Sequence, residues 1–129
     1  MDSSFLFIPT QFHVDIFEEL ASLLDRRYEP IVLSTTCEEL QKIARSGPPK
    51  LRKQAALALK LADKCQRITA DSGEGESHDD VIVRTASKTA YCVATNDKAL
   101  RNRLRNLNVP VIHLRQKSRL ALDGALPQA

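Results

Sequence analysis

The stretch Tyr91–Arg105, YCVATNDKALRNRLR, decides the fold. It opens on Tyr91-Cys92-Val93-Ala94, the short apolar run of a buried strand. Thr95-Asn96-Asp97 interrupts the run, and Leu100, Leu104 and Leu107 then recur at the four- and three-residue spacing of a helix face. A strand that passes into a helix through Thr-Asn-Asp sets a carboxylate at the strand's carboxyl end, the edge where open α/β sheets bind ligands. Arg101, Arg103 and Arg105 follow directly. A group able to hold a metal ion thus stands beside groups able to hold phosphate.

Strand and helix patterns continue on both sides of this stretch. Downstream, Val109–Leu114 reads as the last strand, and the tail carries no strong pattern until Leu120-Ala121-Leu122. Upstream, Ser77–Lys88 reads as a helix and Asp71–Glu76, DSGEGE, as a loop by its Gly and Ser content. Arg67–Ala70 reads as a short strand, preceded by an Ala- and Leu-rich helix over Leu51–Cys65. A further helix spans Cys37–Arg45 and follows a strand at Ile31–Leu33. Val14, Phe17, Leu20 and Leu24 share one face of a helix within His13–Arg27. Phe5-Leu6-Phe7-Ile8 fits a short strand or a buried helical turn, and periodicity does not separate the two. Strands that alternate with helices after residue 30 predict a parallel sheet covered by helices on both faces.

Composition narrows the function. A chain of 129 residues, 43% hydrophobic and 27% charged, predicts one globular domain over 1–129 with a proper core. Six aromatics and no Trp argue against nucleic-acid binding by stacked aromatic platforms. A net charge of +3 is too mild to diagnose a nucleic-acid partner, so placement of the charges matters more. Cys37, Cys65 and Cys92 are odd in number and lack a CxxC pair, which predicts reduced thiols rather than zinc ligands or disulfides. No apolar run has a membrane span's ~18 residues, and MDSSFLFIPTQ lacks a signal peptide's basic and long apolar regions. These features predict a cytoplasmic protein.

Several acids fall at strand-to-helix junctions. Glu39 lies in the first turn after Ile31–Leu33, Asp79 and Asp80 open the helix after DSGEGE, Asp97 follows Tyr91–Ala94, and Asp2 lies at the start. In a parallel sheet these positions share one edge, so the carboxylates are expected to converge to metal-bridging distance and to raise at least one pKa. Oxygen ligands without a soft donor are the preference of Mg²⁺ or Mn²⁺. Helix capping competes with this reading. Thr36-x-x-Glu39 and Ser77-x-x-Asp80 both match the capping box, and Asp97 can serve as a helix-start acid. Successive helical residues point ~100° apart, so the box assigns Asp80 to the cap and leaves Asp79 for a ligand. His13, His78 and His113 share no metal spacing and read as surface or core residues. Lys98, Arg101 and Arg105 can share one helix face, which is equally the pattern of a solvated surface.

Taken together, Asp2-Ser3-Ser4-Phe5-Leu6, Cys37-Glu38-Glu39-Leu40, His78-Asp79-Asp80-Val81-Ile82 and Val93-Ala94-Thr95-Asn96-Asp97-Lys98-Ala99-Leu100 resemble the four acidic motifs of the PIN domain. The ending Val109–Gln116 is similar to the same family, and the nearest likeness is to compact VapC-like or ribosomal-RNA-processing members. The resemblance implies a three-layer α/β/α fold on a mostly parallel, about five-stranded sheet. Its first strand is abbreviated here, since only Met1 precedes Asp2. It also implies a metal-dependent ribonuclease in which Asp2, Glu39, Asp79 and Asp97 are the catalytic acids and hold Mg²⁺ or Mn²⁺. Ser3, Thr95 and Asn96 become their polar support, and Lys98, Arg101 and Arg105 hold RNA. The implied partners are RNA together with an antitoxin protein or a ribosomal-RNA precursor complex, and a homodimer is compatible. A catalytically weak PIN domain that binds RNA or protein is the alternative. A receiver-like regulatory domain is disfavoured, because it needs a Lys soon after a later strand and Lys117 does not follow closely enough.

Overall fold

Phe5–Ile8 is helical, not extended. The computed structural model of the protein describes residues 1–126. Asp2 caps helix α1 (Ser3–Leu6) by accepting from the Phe5 amide at 2.9 Å, and Pro9 sits at the start of α2 (Ile8–Phe12), where a missing N–H costs nothing. Helix α3 (Ile16–Leu24) begins later than its apolar pattern, because the Asp15 carboxylate takes the Phe17 and Glu18 amides. Strand β1 (Ile31–Leu33) runs without a loop into α4 (Ser34–Ser46), and α5 (Pro49–Ala62) follows. The chain continues through β2 (Gln66–Ile68), α6 (His78–Thr89), β3 (Val93–Ala94), α7 (Lys98–Asn106), β4 (Val111–Arg115) and β5 (Arg119–Asp123).

Alternate strand residues enter different cores, as the period of two demands. Val32, Ala94 and Ile112 join a core with residues of α1 to α5. Leu33, Val93 and Val111 join a second with Val81, Ile82, Leu100 and Leu104 of α6 and α7. Helices therefore cover both faces of the strands in an α/β/α arrangement. Leu100 and Leu104 are fully buried, each worth about 1.5–3 kcal/mol, while Leu107 lies past the end of α7 and is exposed.

The strands differ from a single five-stranded sheet. β1 pairs parallel with β2, and β3 pairs parallel with β4, which pairs antiparallel with β5. The two groups are separate sheets. Met1 and Asp2 stand between them: the Met1 ammonium donates to the Ile31 carbonyl at 2.9 Å and the Asp2 amide to the Ala94 carbonyl at 3.1 Å. An apolar cavity of about 180 Å³, lined by Met1, Tyr28, Ile31, Tyr91 and Val93 among others, lies beside them. Burial pushes the Met1 ammonium's pKa down.

β5 makes a hairpin in what reads as a patternless tail. Its turn holds Gln116 at φ 54° and Lys117 at φ 59°, with the Ser118 amide on the Arg115 carbonyl. Two successive positive φ values define a type I′ turn, which strongly prefers Asn-Gly. Neither residue signals the turn, and each is strained by about 1 kcal/mol or more in this conformation. Gln116→Asn with Lys117→Gly is expected to raise stability by roughly 1 kcal/mol in urea unfolding. A midpoint that stays put or falls refutes that account of the turn.

The cysteines are free thiols, and burial pushes Cys92 up to about 11. No described helix is long and apolar enough to cross a membrane.

Candidate active site

Two segments 93 residues apart in sequence are locked together at the carboxyl edge of β3. Asp2 is 4% exposed, and both of its oxygens accept from Ser4 Oγ, at 2.8 and 2.9 Å. Thr95 Oγ1, fully buried, donates to Asp2 Oδ2 at 2.5 Å and accepts from the Asp97 amide at 3.1 Å. The Asn96 amide donates to Ser4 Oγ at 2.9 Å. Asp97 ends the loop as the cap of α7, its Oδ1 accepting from the Ala99 and Leu100 amides at 2.9 and 3.2 Å. Hydroxyls alternate with carboxylates here because each hydroxyl both donates and accepts.

Asp79 faces this loop from the first turn of α6. Its carboxylate accepts no hydrogen bond among the described residues. Its pKa is raised, first by partial burial and then by the charges of Asp97 and Asp2. Burial also raises Asp2, against the pull of hydrogen bonds from Thr95, Phe5 and Ser4. The expected repulsion between carboxylates thus enters at Asp79, second to burial, while at Asp2 burial alone raises the pKa.

Asp80, one residue on, is fully engaged elsewhere. It completes a capping box with Ser77, at 2.9 and 3.1 Å, and pairs with Arg103 at 2.9 Å, which hold its pKa below the usual carboxylate range. Asp80→Asn is expected to cost about 1 kcal/mol, the scale of a lost cap, with any hydrolytic activity retained. Thermal unfolding and an RNA-cleavage assay on the same preparation test both halves. A loss of activity as deep as that of Asp79→Asn would mean that the two carboxylates share one role.

Glu39 approaches from α4. Ser3 Oγ donates to Glu39 Oε1 at 2.6 Å, and His78 Nε2 lies 3.8 Å from Glu39 Oε2 and 3.1 Å from Thr36 Oγ1. The capping box expected for Thr36 and Glu39 does not form. α4 starts at Ser34 directly from β1, with no side-chain cap, which places Thr36 inside the helix and fully buried. His78 is the site residue that sequence reasoning passes over. No metal-ligand spacing marks it, and its proximity to Glu39 is a product of tertiary packing. Ser4 is a second, unmarked apart from its place beside Asp2.

The candidate acids Asp2, Glu39, Asp79 and Asp97 thus lie around one edge, linked through Ser3, Ser4, Thr95 and His78. Their spacing is wider than expected: among the described residues, no three His, Cys, Asp or Glu side chains stand close enough to hold a metal ion. Their chemistry nonetheless suits a hard divalent cation, since the donors are all oxygens and one half-buried carboxylate, Asp79, has no hydrogen bond or ion pair among the described residues.

The basic helix is less open than its sequence suggests. Arg105 pairs with Asp123 at 2.6 Å, and His113 meets the same carboxylate at 3.3 Å. Arg103 is held by Asp80, and Arg101 carries a buried Nε without a partner. Of the three expected RNA-binding residues, only Lys98 is exposed and without an ion pair.

A family model described as a PIN like domain matches residues 1–117. The chain belongs to the PIN-like domain family. Ribonuclease VapC4 of Methanocaldococcus jannaschii is 29% identical over 95% of this chain and 94% of its own length. The rRNA-processing protein FCF1 of Saccharomyces cerevisiae is 32% identical over 83% of this chain, which spans only 53% of that protein. Among solved structures, the PIN domain endonuclease Utp24 superposes with a TM-score of 0.79 at 26% identity, over 97% of this chain and 90% of that one. Two of these relatives are named as nucleases, and the PIN domain expected from the four acidic motifs is the one found.

Proposed function

We propose that this protein is a metal-dependent RNA endonuclease whose acidic set is Asp2, Glu39, Asp79 and Asp97, with Mg²⁺ or Mn²⁺ as the ion. The observation that carries the reading is Asp79. A half-buried carboxylate with no hydrogen-bond donor, raised by burial and then by two neighbouring acids, is a group in want of a cation. The names of the relatives, a ribonuclease and an rRNA-processing protein, support RNA as the substrate.

A bound divalent ion would supply water activation and charge neutralisation at the scissile phosphodiester. This chain's residues do the rest. Thr95 and Ser4 fix the orientation of Asp2, the α7 amides fix Asp97, and Ser3 fixes one oxygen of Glu39. Asp79 is left free to turn towards the ion. Asn96 and Lys98 lie at the same loop and can meet the phosphate.

The near-full-length match to VapC4 supports a compact ribonuclease, the toxin half of an antitoxin pair or a processing enzyme. The wide spacing of the acids favours a second reading, a PIN domain that binds RNA and cleaves it weakly. Single-stranded RNA incubated with Mn²⁺, with Mg²⁺ and with EDTA separates the two. Cleavage that needs metal and disappears in Asp79→Asn supports the nuclease. RNA binding without cleavage under every condition supports the weaker module.

A further inference from the structure

Cations without partners concentrate on a surface outside the acidic loop. Between Glu39 and Asp63 the chain carries Lys42, Arg45, Lys50, Arg52, Lys53 and Lys60 and no acid. All six are exposed, and none of their side chains makes an ion pair or hydrogen bond among the described residues. On α7, in contrast, two of the four cations are spent on Asp80 and Asp123.

Their placement is ordered with respect to the candidate site. Lys42 follows Glu39 by three residues on α4, one helical turn, and Arg45 follows by another turn, so the pair begins about 4.5 Å along the axis and continues to about 9 Å. Four residues after Arg45 the chain enters α5, whose first turns carry Lys50, Arg52 and Lys53. α4 and α5 pack against each other as an antiparallel pair joined by Gly47-Pro48.

We infer that Lys42, Arg45, Lys50, Arg52 and Lys53 form a track that holds the RNA backbone as it leaves the acidic site along the α4–α5 hairpin. This rests on the nuclease reading for its substrate class, but not on cleavage. A series of unpaired cations, Lys42 and Arg45 one turn apart on α4 and Lys50 and Lys53 one turn apart on α5, leading away from the carboxylates and interrupted by no acid in sequence, matches a polyanion that must approach those carboxylates. Leu51 and Leu57 are exposed on α5, at 38% and 48%, so an acidic peptide is the occupant to be tested against RNA.

The test measures binding in EDTA, where hydrolysis does not enter, with single-stranded RNAs of about 16 and about 4 nucleotides. Lys42→Gln, Arg45→Gln and Lys50→Gln are combined in one variant. A control removes the same charge with Arg27→Gln, Arg67→Gln and Lys88→Gln, three exposed residues outside α4 and α5. The track variant is expected to bind the long RNA about a hundredfold more weakly at 0.1 M salt, with a salt slope about two units shallower. The short RNA is expected to bind both variants and the parent alike, and the control to bind the long RNA within a few-fold of the parent. Equal losses in both variants, or no loss in either, overturn the track. So does a poly-glutamate peptide that binds the parent more tightly than the long RNA and loses its affinity in the track variant. Should the first variant unfold, Lys50→Gln, Arg52→Gln and Lys53→Gln repeats the comparison on α5 alone. If the track variant loses RNA and the parent cleaves none with Mn²⁺, the track stands and the nuclease reading fails.

Discussion

Asp79→Asn is expected to abolish RNA hydrolysis and leave the protein at least as stable as the parent. The two halves have one cause. In the folded chain the Asp79 carboxylate is partly desolvated and faces Asp97 and Asp2, so its pKa is raised above the unfolded value. The folded state therefore holds the proton more tightly than the unfolded state, and stability falls as pH rises through that window. At neutral pH the charged form is a cost, which the amide removes. The gain of the variant over the parent is expected at pH 7 and should vanish as pH falls below about 4, the unfolded value for Asp. Activity moves the other way, because the amide cannot carry the charge that a cation needs. Even outer partners of metal ligands change affinity or activity 10–100-fold, so loss of a ligand is expected to exceed about a hundredfold. Calorimetric Mn²⁺ titration of parent and variant checks this without reference to turnover. A variant that binds Mn²⁺ and cleaves RNA like the parent would remove Asp79 from the site.

How far the sequence discloses this arrangement depends on whether a feature is local. Thr95-Asn96-Asp97 between an apolar run and a leucine face is local, and the structure shows a strand end, a cap and a helix there. The Ser77–Asp80 box is local too, and it forms as spaced. The similar Thr36–Glu39 spacing misleads because α4 starts directly from β1, so Thr36 is already inside the helix and turns to His78. Phe5–Ile8 is helical because Asp2 caps it, a fact hidden in an apolar run that suits either form. The hairpin of β4 and β5 escapes reading because Gln116 and Lys117 adopt left-handed backbone without the Gly or Asn that announces it. The ion pairs that occupy Arg103 and Arg105 come from α6 and β5, distant in sequence, and helix periodicity says nothing of them.

Thr95→Val is expected to cause the largest loss of stability of any single change at the site. The hydroxyl is fully buried and does two jobs, donating to the Asp2 carboxylate at 2.5 Å and accepting the Asp97 amide at 3.1 Å. Valine keeps the shape, strands the Asp97 amide and removes one hydrogen bond from Asp2, which keeps those from Ser4 and Phe5. A stranded buried amide costs about 1–3 kcal/mol and a lost hydrogen bond to a charged group about 1.5–3 kcal/mol, so a total of roughly 3–5 kcal/mol is expected. Thr95→Ser retains the hydroxyl and loses one methyl, which limits its cost to about 1 kcal/mol. The difference between Val and Ser therefore isolates the hydrogen bonds from the packing. It should also depend on pH. Burial already raises Asp2, and the Thr95 bond is the largest influence that lowers it, so Val raises it further. A carboxyl with a raised folded pKa loses stability as pH rises from its unfolded value towards the folded one. Raising the folded value further extends that loss, so the gap between Val and parent should widen from pH 4 to pH 7 and narrow in acid. Part of the gap persists at low pH, because the Asp97 amide lacks its acceptor whatever the state of Asp2. Urea unfolding of the three proteins at both pH values decides the matter. A Val variant within about 0.5 kcal/mol of the parent at pH 7, well below the cost of one stranded buried group, would show that the Thr95 hydroxyl does not hold the Asp2 segment to the β3–α7 loop.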